Sequence, residues 1–264
     1  RVVEAHRPWR RALLDAACWR DAAARLARGD WSLLGLWGEA AAVHMALLDE
    51  DAGAIGIASL NCSEGSFPSV GRVHPPAIRL ERAIRDLFGL MPEDAPDLRP
   101  WLDHGRWGVR HPLGERRPDA EDGRRYDFLP AEGEGLHQVA VGPVHASVIE
   151  PGHFRFTVNG EAVVRLEERL GYAHKGVEGL MAGAALDHAA RLAGRVSGDS
   201  TVAYALAFAR AAEAALGIDA PPRAVWLRAL MAELERLANH LGDMGGICND
   251  AAFAMMLAQC AVLR

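Results

Sequence analysis

Residues 112–136 constrain this chain more than any other stretch, because they can bury little and so divide it. They hold Pro112, Pro118 and Pro130, glycines at 114, 123, 133 and 135, and many charges, a composition that breaks regular structure. The segment predicts a linker, with one domain over residues 1–111 and a second over 137–264. Two domains also suit 264 residues, which is above the usual single-domain size. With 50% hydrophobic and 24% charged residues, the chain can bury a substantial core.

The first thirty residues read as an amphipathic helix, with Leu13, Leu14, Ala17 and Trp19 set against arginines and acids. Trp31 to Leu60 carries three apolar runs separated by Gly38-Glu39 and Asp49-Glu50-Asp51, which predict strands of a small sheet. Pro75-Pro76 opens a helix whose apolar residues Ile78, Ile84, Leu87 and Phe88 repeat at helical spacing, and Gly89 closes it. Beyond the linker, Phe154, Phe156 and Val158 alternate with polar residues, as do Ala162, Val164 and Leu166. Asn159-Gly160 between these runs predicts a hairpin with a type I′ turn, both of whose central residues need positive φ. Asp199-Ser200-Thr201 offers capping oxygens to a helix that Gly217 stops, and Pro221-Pro222 starts another that Gly242 should end. The expected fold class is α+β: a small N-terminal α/β domain, the linker, then a β-hairpin sheet followed by a helical bundle.

A formal charge of −6 with scattered arginines excludes a general nucleic-acid binder. The four cysteines, Cys18, Cys62, Cys248 and Cys260, include no C-x-x-C pair, so no local zinc or iron–sulfur nest and no disulfide framework is expected. The first thirty residues lack the continuous apolar region of a signal peptide. The longest apolar run, Ala251 to Leu263, is too short to span a bilayer, which needs about 20 residues. The chain reaches Arg264 inside an apolar helical pattern without a stop signal, as expected of a segment from a longer protein.

Three elements carry the functional reading: Glu150-Pro151-Gly152-His153, then Gly171-Tyr172-Ala173-His174-Lys175-Gly176-Val177-Glu178, then Arg195-Val196-Ser197-Gly198-Asp199-Ser200. Their order and spacing resemble the large subunit of membrane-bound [NiFe]-hydrogenases and its relative, the quinone-site subunit of respiratory complex I. His74-Pro75-Pro76-Ala77 through Glu81-Arg82-Ala83-Ile84-Arg85-Asp86-Leu87-Phe88-Gly89 resembles a second complex I component, the small subunit beside the quinone site. Both domains in one chain resemble the large subunit of formate hydrogenlyase-type, energy-converting hydrogenases, over residues 30 to 264.

The resemblance implies roles for particular residues. Glu150 matches a glutamate that moves protons at the hydrogenase centre; His153 and Arg195 accompany it as catalytic candidates. His145, in a G-P-x-H that lines the complex I quinone loop, is a cofactor-binding candidate. So are Tyr172, His174 and Glu178, which follow G-Y-x-H-x-G-x-E beside the neighbouring iron–sulfur cluster. Where the hydrogenase motif R-x-C-G-x-C holds nickel and iron, this chain has Ser197 and Ser200. Thiolates are soft, anionic ligands, whereas a serine hydroxyl is hard and stays protonated. No metal site is therefore expected here, and helix capping accounts for both serines. The tyrosine that contacts quinone in complex I aligns with Gly198. Arg79, Glu81, Arg82 and Asp86 are expected on a solvated helix face. Glu233, Arg236 and His240 share one polar helix stripe, either an exposed ion-paired face or a meeting point with neighbours.

The resemblance implies a subunit of an NADH:quinone oxidoreductase-like or hydrogenase-like complex, peripheral on the cytoplasmic face of the inner membrane. Electrons would pass from an iron–sulfur neighbour toward quinone, with the [NiFe] centre lost. The implied partners are a small subunit carrying a [4Fe-4S] cluster, a ferredoxin-like subunit and antiporter-like membrane subunits, and not nucleic acid. The chain itself is expected to bind no cofactor other than a quinone. It has no nucleotide-binding glycine loop, so NAD would enter only through another subunit. The rival expectation is a non-catalytic scaffold that joins the iron–sulfur subunit to an ion-translocating arm.

Overall fold

A computed structural model describes residues 1–115, 126–145 and 150–264, together with the backbone of 117–118. Residues 116 and 119–125 of the expected linker, and 146–149 just before Glu150, lie outside the described residues. The chain forms two compact units, Arg1–His174 and Lys175–Arg264. The boundaries expected at 111 and 137 both fall inside the first unit.

The first unit begins with strands β1 (Val2–Val3) and β2 (Arg10–Leu14), helix α1 (Ala16–Arg28), then β3 (Ser32–Glu39), β4 (Ala42–Asp49) and β5 (Ala54–Asn61). Their sheet runs in the order β1-β2-β5-β4-β3, with β2 parallel to β5 and the other pairs antiparallel. The single amphipathic helix expected over the first thirty residues is thus two strands and a shorter helix. Asp15 sets the helix start: its carboxylate accepts from the Cys18 amide at 2.8 Å, and Gly29 ends the helix at φ 78°. Trp19, fully buried, anchors α1 on the sheet among Ala22, Leu26, Val43, Met45, Leu60 and Phe67, and its indole N–H donates to the Pro68 carbonyl at 3.0 Å. The three predicted strands of residues 31–60 are all present.

Strand β6 (Ser66–Pro68) pairs in parallel with β7 (Met91–Glu93) around helix α2 (Ile78–Phe88), which a short 3₁₀ turn at Pro75–Ala77 introduces and Gly89 ends. The polar residues of α2 contradict the solvated face expected for them. Glu81, Arg82 and Asp86 are 1%, 5% and 2% exposed, because each satisfies backbone groups that no ladder reaches. Glu81 accepts from the Ser69 hydroxyl at 2.8 Å and the Val70 and Gly71 amides at 2.5 and 3.2 Å. Asp86 accepts from the amides of Trp101, Leu102 and Asp103 at 2.7, 2.8 and 3.3 Å. Arg82 donates to the carbonyls of Arg99 and Pro100 at 2.7 and 2.9 Å. Arg79 alone among the four is exposed.

Strand β8 (Val109–Arg110) pairs with β9 (Arg117–Pro118). A three-stranded antiparallel sheet follows: β10 (Leu136–Val141), β11 (His153–Asn159) and β12 (Ala162–Arg169). The predicted hairpin is β11–β12, but Asn159 pairs with Ala162 and the turn sits one residue later, on Gly160-Glu161. Only Gly160 takes positive φ, at 58°, so the type I′ expectation fails. A bulge between Thr157 and Val158 buries both consecutive residues, which strict alternation could not do.

The second unit is helical: α3 (Val177–Met181), α4 (Leu186–Ala193), α5 (Thr201–Leu216), α6 (Pro222–Asp250) and α7 (Ala254–Leu263). Gly217 closes α5 at φ 66° as expected. Gly242, by contrast, does not end α6. The helix runs on to Asp250, and at Gly245 a Cβ would lie 3.2 Å from the Cys260 Cβ of α7, so that glycine serves close helix packing. Among the described residues no helix is long and apolar enough to cross a membrane.

Candidate functional site

The candidate residues of the first unit cluster around the ends of β10, β11 and β12. Gly142 follows β10 at φ 76°, and a Cβ there would collide with the Gly152 carbonyl, so glycine is required for the two segments to meet. His145 and His153 then fasten the loop from opposite sides. His145 Nε2 lies 2.8 Å from the Gly152 carbonyl and His153 Nδ1 lies 3.0 Å from the Gly142 carbonyl. Carbonyls only accept, so both rings donate through those nitrogens. His153 also meets Phe128, ring centroids 5.1 Å apart, while the Arg155 guanidinium covers the same phenyl ring at 4.1 Å. Glu150, beside this fastening, is exposed.

Two further candidates use aromatic contacts. The Tyr172 hydroxyl accepts from Arg169 at 2.6 Å. His174 stacks on Trp107 with centroids 4.8 Å apart and planes 22° from parallel. Both follow Gly171, whose φ of 89° and contact with the Leu102 carbonyl exclude a side chain.

In the second unit, Glu178 lies exposed in the first turn of α3 and Arg195 is exposed just after α4. The serine-bearing segment departs from the capping expectation. Ser197 and Ser200 both donate to Asp199 Oδ1, at 2.6 and 2.9 Å, and these two bonds hold the Asp199 carboxyl below its usual pKa range. Ser200 occupies the N-cap position of α5, but neither serine side chain bonds its amides. Its first free amides, Val202 and Ala203, donate instead to the Glu235 carboxylate of α6 at 2.6 and 2.9 Å. A carboxylate at a helix N-terminus satisfies amides and meets the positive end of the dipole together. Asn239 adds a bond to the Asp199 carbonyl at 2.7 Å. The predicted stripe of Glu233, Arg236 and His240 is exposed, with Glu233 and Arg236 paired at 3.1 Å, whereas Glu235 and Asn239 grip α5 and the turn before it.

Sequence reasoning missed a densely bonded polar group among the described residues of the first unit. Arg99 contacts Asp97 at 2.8 Å and the buried Glu167 of β12 at 2.5 Å. Glu167 also accepts from the Leu129 amide at 3.1 Å and pairs with Arg165 at 3.2 Å. Burial alone would raise the Asp97 pKa, but hydrogen bonds from Arg99 and the charge of Arg82 bring it below the carboxylate range. Arg99 is held firmly protonated, foremost by Asp97. At Glu81 burial wins over its three hydrogen bonds and raises the pKa. Asp97 and Arg99 stand in the Pro96-Asp97-Leu98-Arg99 segment, so a local acid–base pair was visible. Its partner 68 residues away was not.

Residues 34–121 match the family described as respiratory-chain NADH dehydrogenase, 30 Kd subunit. Hydrogenase-4 component G of Escherichia coli (strain K12) is 35% identical over 205 residues, covering 74% of this chain and 37% of that protein. Formate hydrogenlyase subunit 5 of the same organism is 33% identical over 204 residues, covering 74% and 36%. One of the NADH-quinone oxidoreductase subunits of Streptomyces griseus is 37% identical over 105 residues, covering 40% and 27%. The chain is thus related to subunits of hydrogenase and NADH–quinone oxidoreductase complexes. It spans 36–37% of the length of the two Escherichia coli proteins.

Proposed function

We propose that this chain is part of a hydrogenase-like, complex I-like subunit that passes electrons from an iron–sulfur neighbour toward a quinone, peripherally on the cytoplasmic side of the membrane. One observation carries this reading. The 205-residue similarity to hydrogenase-4 component G is longer than the first unit, Arg1–His174. It therefore runs through both units rather than reflecting one shared module.

The residues that stand in the place of the nickel ligands do not fit such a centre. Ser197 and Ser200 offer neutral, hard oxygens, and both spend their protons on Asp199. We therefore derive no step through a nickel–iron group. Glu150 is the residue left to exchange protons, and its exposure leaves it open to solvent. His145 and His153, bound to backbone carbonyls, hold the loop that carries it. The partners in this reading are a [4Fe-4S] subunit, a ferredoxin-like subunit and an ion-translocating membrane arm.

The scaffold reading draws on the serine-bearing segment, where Ser197 and Ser200 bind Asp199 while Glu235 and Asn239 hold helices together. Quinone reduction by the intact complex separates the two. In the electron-transfer reading, Glu150→Gln assembles normally but lowers kcat by about 10²-fold or more with little change in KM, the usual range for a lost proton-transfer group. Equal rates in wild-type and variant complexes, or no quinone reduction by either, would favour the scaffold.

A further inference from the structure

We propose that Arg11, Ser59 and His44 form a one-way hydrogen-bond chain across the first sheet, ending beside Glu39, that admits only neutral His44, so that acidification switches the surface around Trp37. The four residues come from four neighbouring strands in the order β2, β5, β4, β3. His44 is directly opposite Ser59 on one side and Trp37 on the other, so all share one face of the sheet.

The direction of the chain follows from what each group can donate. Arg11 has no acceptor, so its Nε–H donates to Ser59 Oγ at 2.8 Å. Ser59 is completely buried, and its hydroxyl also meets His44 Nδ1 at 2.8 Å. The hydroxyl proton therefore points to a bare Nδ1. The imidazole proton must then sit on Nε2, which lies 3.3 Å from the Glu39 carboxylate without hydrogen-bond geometry. The two hydrogen-bond donors of the line, Arg11 Nε–H and the Ser59 hydroxyl, each meet an acceptor. A proton added to Nδ1 would aim two donors at Ser59 Oγ and turn the buried serine hydroxyl away from its acceptor.

The groups facing His44 pull in both directions. Burial of the ring disfavours its charged form most; Glu39 on β3 favours it, while Arg11 on β2 and His6 before β2 oppose it. The balance lowers the pKa below the ordinary 6.5. The sign is then fixed: His44 contributes nothing adverse above pH 6.5, and stability falls as pH drops from there toward the folded-state value. Trp37, whose ring centroid lies 5.4 Å from that of His44 and which is 40% exposed, reports the change at the surface.

The test is ¹⁵N NMR of the histidine rings in the whole chain, with His44 assigned by its loss in His44→Gln. The expected result is an Nε2–H tautomer at neutral pH and a midpoint below the ordinary 6.5, with Trp37 fluorescence quenched at the same midpoint and the change absent in Trp37→Phe. Glu39→Gln should lower the midpoint further and Arg11→Gln should raise it. An Nδ1–H tautomer, a midpoint at or above the ordinary value, or both substitutions moving it the same way would overturn the proposal. Should either variant fail to fold, the tautomer and midpoint of the unmodified chain decide.

Discussion

The two units use their apolar residues in opposite ways. In the first, Trp19, Val43, Met45, Phe67, Val70 and Ala77 are at most 1% exposed, and the helices and sheet close over them. In the second, α5 buries none of its residues and α6 buries only Gly245. Trp226, Ile247 and Val262 are 76%, 70% and 86% exposed. Both sequences carry enough leucine, valine and alanine for a core, so composition does not separate them. What separates them is geometry: the first unit has a sheet for its helices to cover, whereas the second is built of helices alone. Polar groups follow the same contrast. Buried carboxylates in the first unit answer backbone amides of loops, whereas in the second Glu235 answers a helix end.

This contrast can be broken first at Trp19. Trp19→Ala should remove about 3–5 kcal/mol from the first unit, as for other large buried aromatics, seen as a shift in its denaturation midpoint with the far-ultraviolet helical signal of the second unit retained. A loss under about 1 kcal/mol would mean that the core is not organised around this side chain.

Arg99→Met should cost less, roughly 2–3 kcal/mol, because it leaves Glu167 buried with Arg165 as its remaining charge partner. The Asp97 part of this stability is present above pH 3.8, its unfolded value, and is lost as pH falls through the lower folded value. The variant should therefore have a flatter stability profile below about pH 4. An unchanged slope there would separate Asp97 from the bridge.

Glu235→Ala should cost about 1 kcal/mol, the usual effect of a lost cap. It should appear locally, as faster hydrogen exchange of the Val202 and Ala203 amides, with the first unit unaffected. Protection unchanged at those amides would return the capping role to Ser200.

The smallest effect is expected at Trp226. Trp226→Ser should move stability within about 0.5 kcal/mol, since exposed side chains contribute little to folding, yet it should reduce binding of a hydrophobic dye. A large loss of stability would mean that the face of α6 is covered in solution, and the two units would then differ less than their burial indicates.

Several local signals in the sequence read correctly where the cause is local. Gly89 and Gly217 end helices because only glycine takes positive φ without strain, and the alternation from 153 to 169 specifies paired strands whatever surrounds it. Residues 31–60 read correctly as three strands for the same reason. Ser197 and Ser200 were legible as hard donors from residue type alone, because ligand chemistry belongs to the side chain. The fate of charged residues was not legible. The pattern of α2 looks like a solvated face in Glu81, Arg82 and Asp86, and only the fold brings the amides of 70–71 and 101–103 within reach of the two carboxylates. Periodicity records which side of a helix is apolar, but a buried carboxylate is stabilised by donors distant in sequence. The same limit hid Glu235 as the cap of α5, Glu167 as the partner of Arg99, and the line from Arg11 through Ser59 to His44. Each joins residues from separate elements, and hydrogen-bond geometry between elements exists only once the chain has folded.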